Sequence, residues 1–209
     1  KSPLHIANNG LWIKPQHIPG TDNDWTVTAE ANLENTAYTD ATGSIRATIY
    51  DGETEVAQAE SDRVTCPADG SATAKATMIV QNPERWDVDN PKLYRVKVEL
   101  LENGKEIDTD ETRIGFRTIA ADAEHGFLLN GRVLKLKGTC NHQDHAGVGV
   151  AVPDSLQYYR IRRLKEMGTN AYRCSHNLPT KAVLDACDEY GLVVMDENRR
   201  FESSPEVLG

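Results

Sequence analysis

Hydrophobic and polar residues alternate along the first half of this chain and recur every three to four residues along the second. The change falls near residue 118. Alternation over 25–34, 44–50, 54–59, 72–80, 93–101 and 106–116 predicts strands, because period two puts one face of a strand on a core. Asp51-Gly52 and Asn103-Gly104 lie between such runs and supply hairpin turns. Short strands at regular intervals, with turn residues between them, predict an immunoglobulin-like β-sandwich over 1–118.

The second half reads differently. Residues 119–126 form a connector, and 126–132 form a small hairpin turned by Asn130-Gly131. A strand follows at 133–137. Asp154 then caps a helix, with Gln157 completing a capping box. Ile161, Leu164 and Met167 mark its apolar face, and Gly168 stops it. A second strand is expected at 169–173. Pro179 or Thr180 opens a second helix, whose Val183, Ala186, Cys187 and Tyr190 fall at i, i+3, i+4 and i+7. Gly191 ends that helix, and 192–195 is a short buried strand. The order β-α-β-α-β requires a parallel sheet with right-handed crossovers. Residues 119–209 are therefore expected to be the N-terminal part of a TIM (β/α)8 barrel: three strands and two helices, too few to close one.

Composition narrows the partners. The 209 residues are 39% hydrophobic and 26% charged, as in ordinary globular chains, and carry a net charge of −9. That charge argues against nucleic-acid or anionic-membrane partners, which reward clustered Lys and Arg. No apolar run approaches the ~20 residues of a membrane helix. The start at Lys1-Ser2-Pro3 has no initiator Met or signal-like core and reads as an internal cut, so it assigns no compartment. Cys66, Cys140, Cys174 and Cys187 match no zinc spacing and are expected free. A Cys140–Cys174 disulfide is the alternative.

Nothing in the first half looks catalytic. His5 and His17 are isolated, and Trp86 reads as a loop anchor packed on the sandwich rather than a sugar platform. Polar clusters follow each of the three later strands. The first is Asn141-His142-Gln143-Asp144-His145. The second is Arg173, Ser175, His176 and Asn177, and the third is Asp196, Glu197, Asn198, Arg199 and Arg200. Side chains at the C-terminal ends of adjacent parallel strands converge on one pocket. A rim of carboxylate, imidazole, amide and guanidinium suits sugar hydroxyls, which donate and accept hydrogen bonds. Two readings stand for Arg173: an ion pair with Glu197 beneath the pocket, or direct substrate contact. His176 has a purely structural alternative, and His142, Asp144 and His145 have a metal-site alternative, though their spacing is no standard ligand pattern. Asp196 and Glu197 are adjacent on a strand end and point to opposite faces. They are a poor pair for glycoside hydrolysis, and Glu197 reads as a positioning residue.

Several runs carry a resemblance. They are Gly115-Phe116-Arg117, Phe127-Leu128-Leu129-Asn130-Gly131 with Leu136-Lys137-Gly138, Asn141-His142-Gln143-Asp144, Asn170-Ala171-Tyr172-Arg173-Cys174-Ser175-His176, and Asp188 through Glu197. Together they resemble glycoside hydrolase family 2, which includes β-galactosidases, β-glucuronidases and β-mannosidases. Val152-Pro153 and Asp196-Glu197-Asn198-Arg199 are most similar to the bacterial β-galactosidases. The resemblance implies a jelly-roll domain, a sandwich and a TIM barrel, of which this chain covers the sandwich and the start of the barrel. It implies retaining hydrolysis by two Glu residues on later strands, so no catalytic residue is expected in this chain. It assigns sugar contacts to His142, Asp144, Arg173 and His176, with Glu197 beside them. The chain departs from the family pattern where Leu178 separates His176 from Pro179. A magnesium site found in some members would have at most Glu202 here, so no metal or other cofactor is expected. The partner is then a β-linked glycan. Self-association through 127–209 is expected from the open strand edges. The alternative reading is a non-catalytic carbohydrate-binding or structural module built on the sandwich.

Overall fold

A computed structural model describes residues 1–197. Asn198, Arg199, Arg200 and Glu202, named above, lie outside the described residues. The chain divides into two compact units, Lys1–Glu84 with Leu93–Phe116, and Arg85–Lys92 with Arg117–Gly209.

The first unit is an antiparallel β-sandwich. Strands β1 (Leu4–His17), β2 (Trp25–Asn35) and β6 (Gly70–Val80) form one sheet, in the order β1-β2-β6. The other runs β4 (Thr54–Glu60), β3 (Ala41–Asp51), β7 (Tyr94–Glu102), β8 (Lys105–Ile114), with β5 (Val64–Cys66) also paired to β3. The predicted alternation is realised in β2, where Trp25, Val27, Ala29, Ala31 and Leu33 are buried and the residues between them face outward. The two sheets close over these side chains and over Ile45, Ile49, Val96, Val98 and Leu100. Trp25 and Tyr94 both meet Phe116 edge to face, with centroids 5.5 and 5.0 Å apart.

Two strands were not expected. β5 is only three residues long. β1 is the longest strand of the sandwich, but a bulge between Ile6 and Leu11 breaks its alternation, and Asn9 there adopts φ 55°. The bulge flips the side-chain phase in mid-strand, so no single period-two pattern spans it.

The second unit opens with the antiparallel sheet β11-β10-β9, formed by β9 (Ile119–Asp122), β10 (Gly126–Leu129) and β11 (Arg132–Val133). The expected connector at 119–126 thus contains a strand. The Asn130-Gly131 turn forms as predicted, with φ 53° and 75°. A parallel sheet β12-β13-β14 follows, built from β12 (Gly138–Asn141), β13 (Ala171–Cys174) and β14 (Val193–Met195). Helices α1 (Asp154–Glu166) and α2 (Lys181–Tyr190) make the crossovers. Ile161 from α1, and Val183, Ala186 and Cys187 from α2, pack on Tyr172, Cys174 and Leu192. The three parallel strands and two helices are the start of a barrel, as the sequence implied.

Three local expectations are corrected. The first barrel strand lies at 138–141 rather than 133–137. Leu134 N–H donates to Phe127 O at 2.9 Å, which keeps this stretch in the hairpin. The chain joins the parallel sheet only at Gly138, where an added Cβ would come within 2.6 Å of Ala171 O. The capping box does not form: Pro153 is the N-cap of α1 and offers no side-chain acceptor. Met167, expected on the buried face, is the C-cap and is 65% exposed.

Trp86 is a buried anchor, but its segment belongs to the second unit. Its Nε1 donates to Asp188 O at 2.8 Å, and the Arg117 guanidinium lies 4.2 Å from its ring centroid. Lys165 Nζ donates to Val88 O at 2.6 Å and to Gly191 O at 3.1 Å. Gly191 ends α2 with φ 75°, and any side chain there would drive into the Val88 carbonyl. Residues 85–92 thus fasten the corner between α2 and β14. All four cysteines are free, Cys140 exposed and the others buried.

Candidate functional site

The site forms where β12, β13 and β14 end. Alternation on β13 sends Tyr172 and Cys174 to the helix layer and Arg173 to the opposite face. Arg173 forms an ion pair with Glu197, two residues past β14. Its Nη1 also lies 3.2 Å from Cys140 Sγ on β12. One guanidinium therefore ties the ends of all three strands together. Its neighbours, Cys140 foremost, raise the Arg173 pKa, so it is a permanent cation.

Glu197 is held from a second side. Its Oε2 accepts the His176 backbone N–H at 2.9 Å, and His176 Nδ1 is 3.2 Å from the same oxygen. His176 reaches this geometry at φ 67°, a left-handed conformation uncommon for a residue with a side chain. The His176 N–H, and then Arg173, hold the Glu197 carboxyl below its ordinary pKa against the opposing effect of burial. Glu197 is thus ionised and acceptor-only at neutral pH.

The His142 ring stands edge-on to that of His176, centroids 5.6 Å apart. The loop carrying His142 is pinned from behind. Arg160 on α1 donates from Nη2 to His142 O at 2.9 Å and from Nη1 to Gln157 Oε1 at 3.3 Å. Four of the five predicted residues, His142, Arg173, His176 and Glu197, are therefore brought together. Asp144 lies on the exposed loop after β12, and nothing among the described residues ties it to this group. Asp196 is exposed, and its charge reaches Cys174, whose thiol is pushed up to about 11, chiefly by burial.

Cys140 and Arg160 were not singled out by sequence. Cys140 was read only through its pairing options, and an Arg among Arg160, Arg162 and Arg163 on one helix carries no signal of its own. A cavity of about 630 Å³ borders the sheet, lined by Cys140, Arg173, Phe127, Leu136, Val194 and Met195 among others. Among the described residues, no three His, Cys, Asp or Glu side chains are grouped to hold a metal ion, and no helix is long and apolar enough to cross a membrane.

Comparisons with known proteins agree on one family. Residues 4–117 match the family model Glycosyl hydrolases family 2, and residues 121–204 match its TIM barrel domain. A β-galactosidase of Bacteroides ovatus is 33% identical over 196 residues, which cover 93% of this chain and 23% of that protein. A β-glucuronidase of Bacteroides fragilis is 32% identical over 197 residues, 94% of this chain and 28% of its own length. The chain thus spans about a quarter of these relatives. Among solved structures, a glycosyl hydrolase family 2 member from Bacteroides cellulosilyticus superposes with a TM-score of 0.85 at 36% identity. That match covers 94% of this chain and 27% of the other.

Proposed function

This chain belongs to the glycosyl hydrolases family 2, and on that premise we propose that it supplies the sandwich and part of the sugar pocket of a retaining β-glycosidase. The substrate is a terminal β-linked sugar, a β-galactoside first, in keeping with the resemblance at 152–153 and 196–199. The observation that carries this reading is Glu197, held ionised between Arg173 and His176 where β13 and β14 end, with His142 alongside. Imidazole and guanidinium N–H groups donate to sugar hydroxyls, while the carboxylate accepts from hydroxyls. Such bonds orient the sugar, and those that its hydroxyls donate to the carboxylate strengthen as the ring takes up positive charge.

Glu197 serves the pocket as a positioning and binding carboxylate. Retaining hydrolysis needs two carboxyl groups about 5–5.5 Å apart, one with a raised pKa to act as acid. Glu197 has the opposite shift and is already committed to two partners. The 209-residue chain alone is accordingly expected to be inactive, and Asp144 is a sugar contact rather than a catalyst.

The test is a panel of chromogenic β-galactosides, β-glucuronides and β-mannosides incubated with the purified chain, alongside galactose binding followed by NMR. The expected result is no turnover, with saturable shifts at His142 and His176. Turnover that disappears in Glu197→Gln would make Glu197 catalytic and overturn this assignment. Saturable binding of glucuronate but not galactose would overturn the choice of sugar.

A further inference from the structure

Arg160 is a side chain from the helix layer that reaches the loop of the candidate site. It sits on the second turn of α1, half-buried, and bonds a backbone carbonyl 18 residues earlier in the chain. The guanidinium fork explains why an Arg suits this place. One arm is fixed by Gln157, one turn back on the same helix and 4% exposed. The other arm is then pre-aimed at His142 O. A Lys has no planar fork and could not hold both acceptors in one geometry. The bonded carbonyl belongs to His142 itself, so its position constrains where the His142 Cα–Cβ bond points. Residues 143–150 run through a local turn in which His145 N–H and Gly149 N–H bond within the turn itself.

We propose that Arg160 is a positioning residue for this site: through the His142 carbonyl it keeps the His142 imidazole edge-on to His176 and so completes the sugar-facing rim. The inference rests on the sugar-pocket reading for its purpose, but its geometric content stands apart from that reading. Arg160 touches no substrate; it acts through His142. Gln157 is the anchor that keeps it from swinging into solvent.

The experiment uses NMR of the 209-residue chain with labelled histidine. The parent is expected to show a cross-peak between the His142 and His176 rings. Arg160→Gln should lose that cross-peak and shift the His142 ring signals. The His176 amide, bonded to Glu197, should stay where it is. Amide protection across α1 and α2 should also persist, which separates loss of positioning from loss of fold. Arg160→Lys keeps a donor without the fork and should weaken the cross-peak without abolishing it. Galactose half-saturation should rise about fivefold to tenfold in Arg160→Gln, the effect of one hydrogen bond. An unchanged ring-to-ring cross-peak in both variants overturns the proposal, whatever happens to stability. If the parent binds no galactose, glucuronate or mannose, the sugar-pocket reading fails instead, and the cross-peak still decides the role of Arg160.

Discussion

Replacing Trp86 tests how residues 85–92 are built into the second unit. Trp86 is wholly buried, donates one hydrogen bond to Asp188 O and carries the Arg117 guanidinium on its ring face. Trp86→Phe keeps an aromatic body and deletes the indole N–H. The lost hydrogen bond costs about 1 kcal/mol, and the incomplete solvation of the part-buried Asp188 carbonyl brings the total to about 1–3 kcal/mol. A weaker cation–π contact adds about 0.5 kcal/mol. We therefore expect about 2–3 kcal/mol of destabilisation for Trp86→Phe and about 3–5 kcal/mol for Trp86→Ala, which also leaves a cavity. Because the chain has two units, a single unfolding midpoint is a poor readout. Native-state hydrogen exchange is the better assay: protection should fall in α2 and β14 and hold in β2 and β7. Undiminished protection of α2 alongside a loss in β2 would refute the reasoning, since the anchor would then serve the sandwich, as the sequence alone suggested.

Two further predictions concern the site. The Glu197 carboxyl has a depressed folded-state pKa, so the stability it contributes is present above the unfolded value of about 4.3 and is lost as pH falls through the folded value. The carboxyl carbon resonance of the Glu197 side chain should report that loss, with its own titration falling below about pH 4.3; Glu197→Gln should remove that titrating signal, and a Glu197 carboxyl titration centred above pH 5 would contradict the assignment. Thiol labelling of the native chain should find one fast cysteine, Cys140. Cys66, Cys174 and Cys187 are buried with raised thiol pKa values and should react only after denaturation. Fast labelling that survives Cys140→Ser would show that the sandwich core at Cys66 or the helix layer at Cys174 and Cys187 is open.

Much of this architecture was legible because it depends on local pattern. Alternation in β2, β6 and β7 and the helical spacing of Val183, Ala186 and Cys187 each report a one-sided burial that a single element must satisfy. The Asn130-Gly131 and Gly191 signals were equally reliable, because left-handed backbone restricts residue choice. What failed shares another cause. β1 hides behind a bulge whose partner lies across a hairpin on β2. β12 has four residues, none strongly β-forming except Thr139, and exists because β13 runs beside it. The capping box failed because Pro153, the residue actually at the N-cap, has no side-chain oxygen.

The candidate site divides the same way. The sequence by itself determined which chemistry stands at the strand ends, since His142, Arg173, His176 and Glu197 are read off directly after each parallel element, and the parallel order sends them to one rim. Only tertiary structure decided how they meet. Arg173 reaches Cys140 and Glu197 at once, His176 turns left-handed to give its N–H to that carboxylate, and Arg160 crosses from α1 to hold His142. Those contacts join residues 18 to 33 positions apart, at angles set by the strand register and helix packing. A linear pattern records each residue's own periodicity, but not the distance between two side chains that different elements bring together.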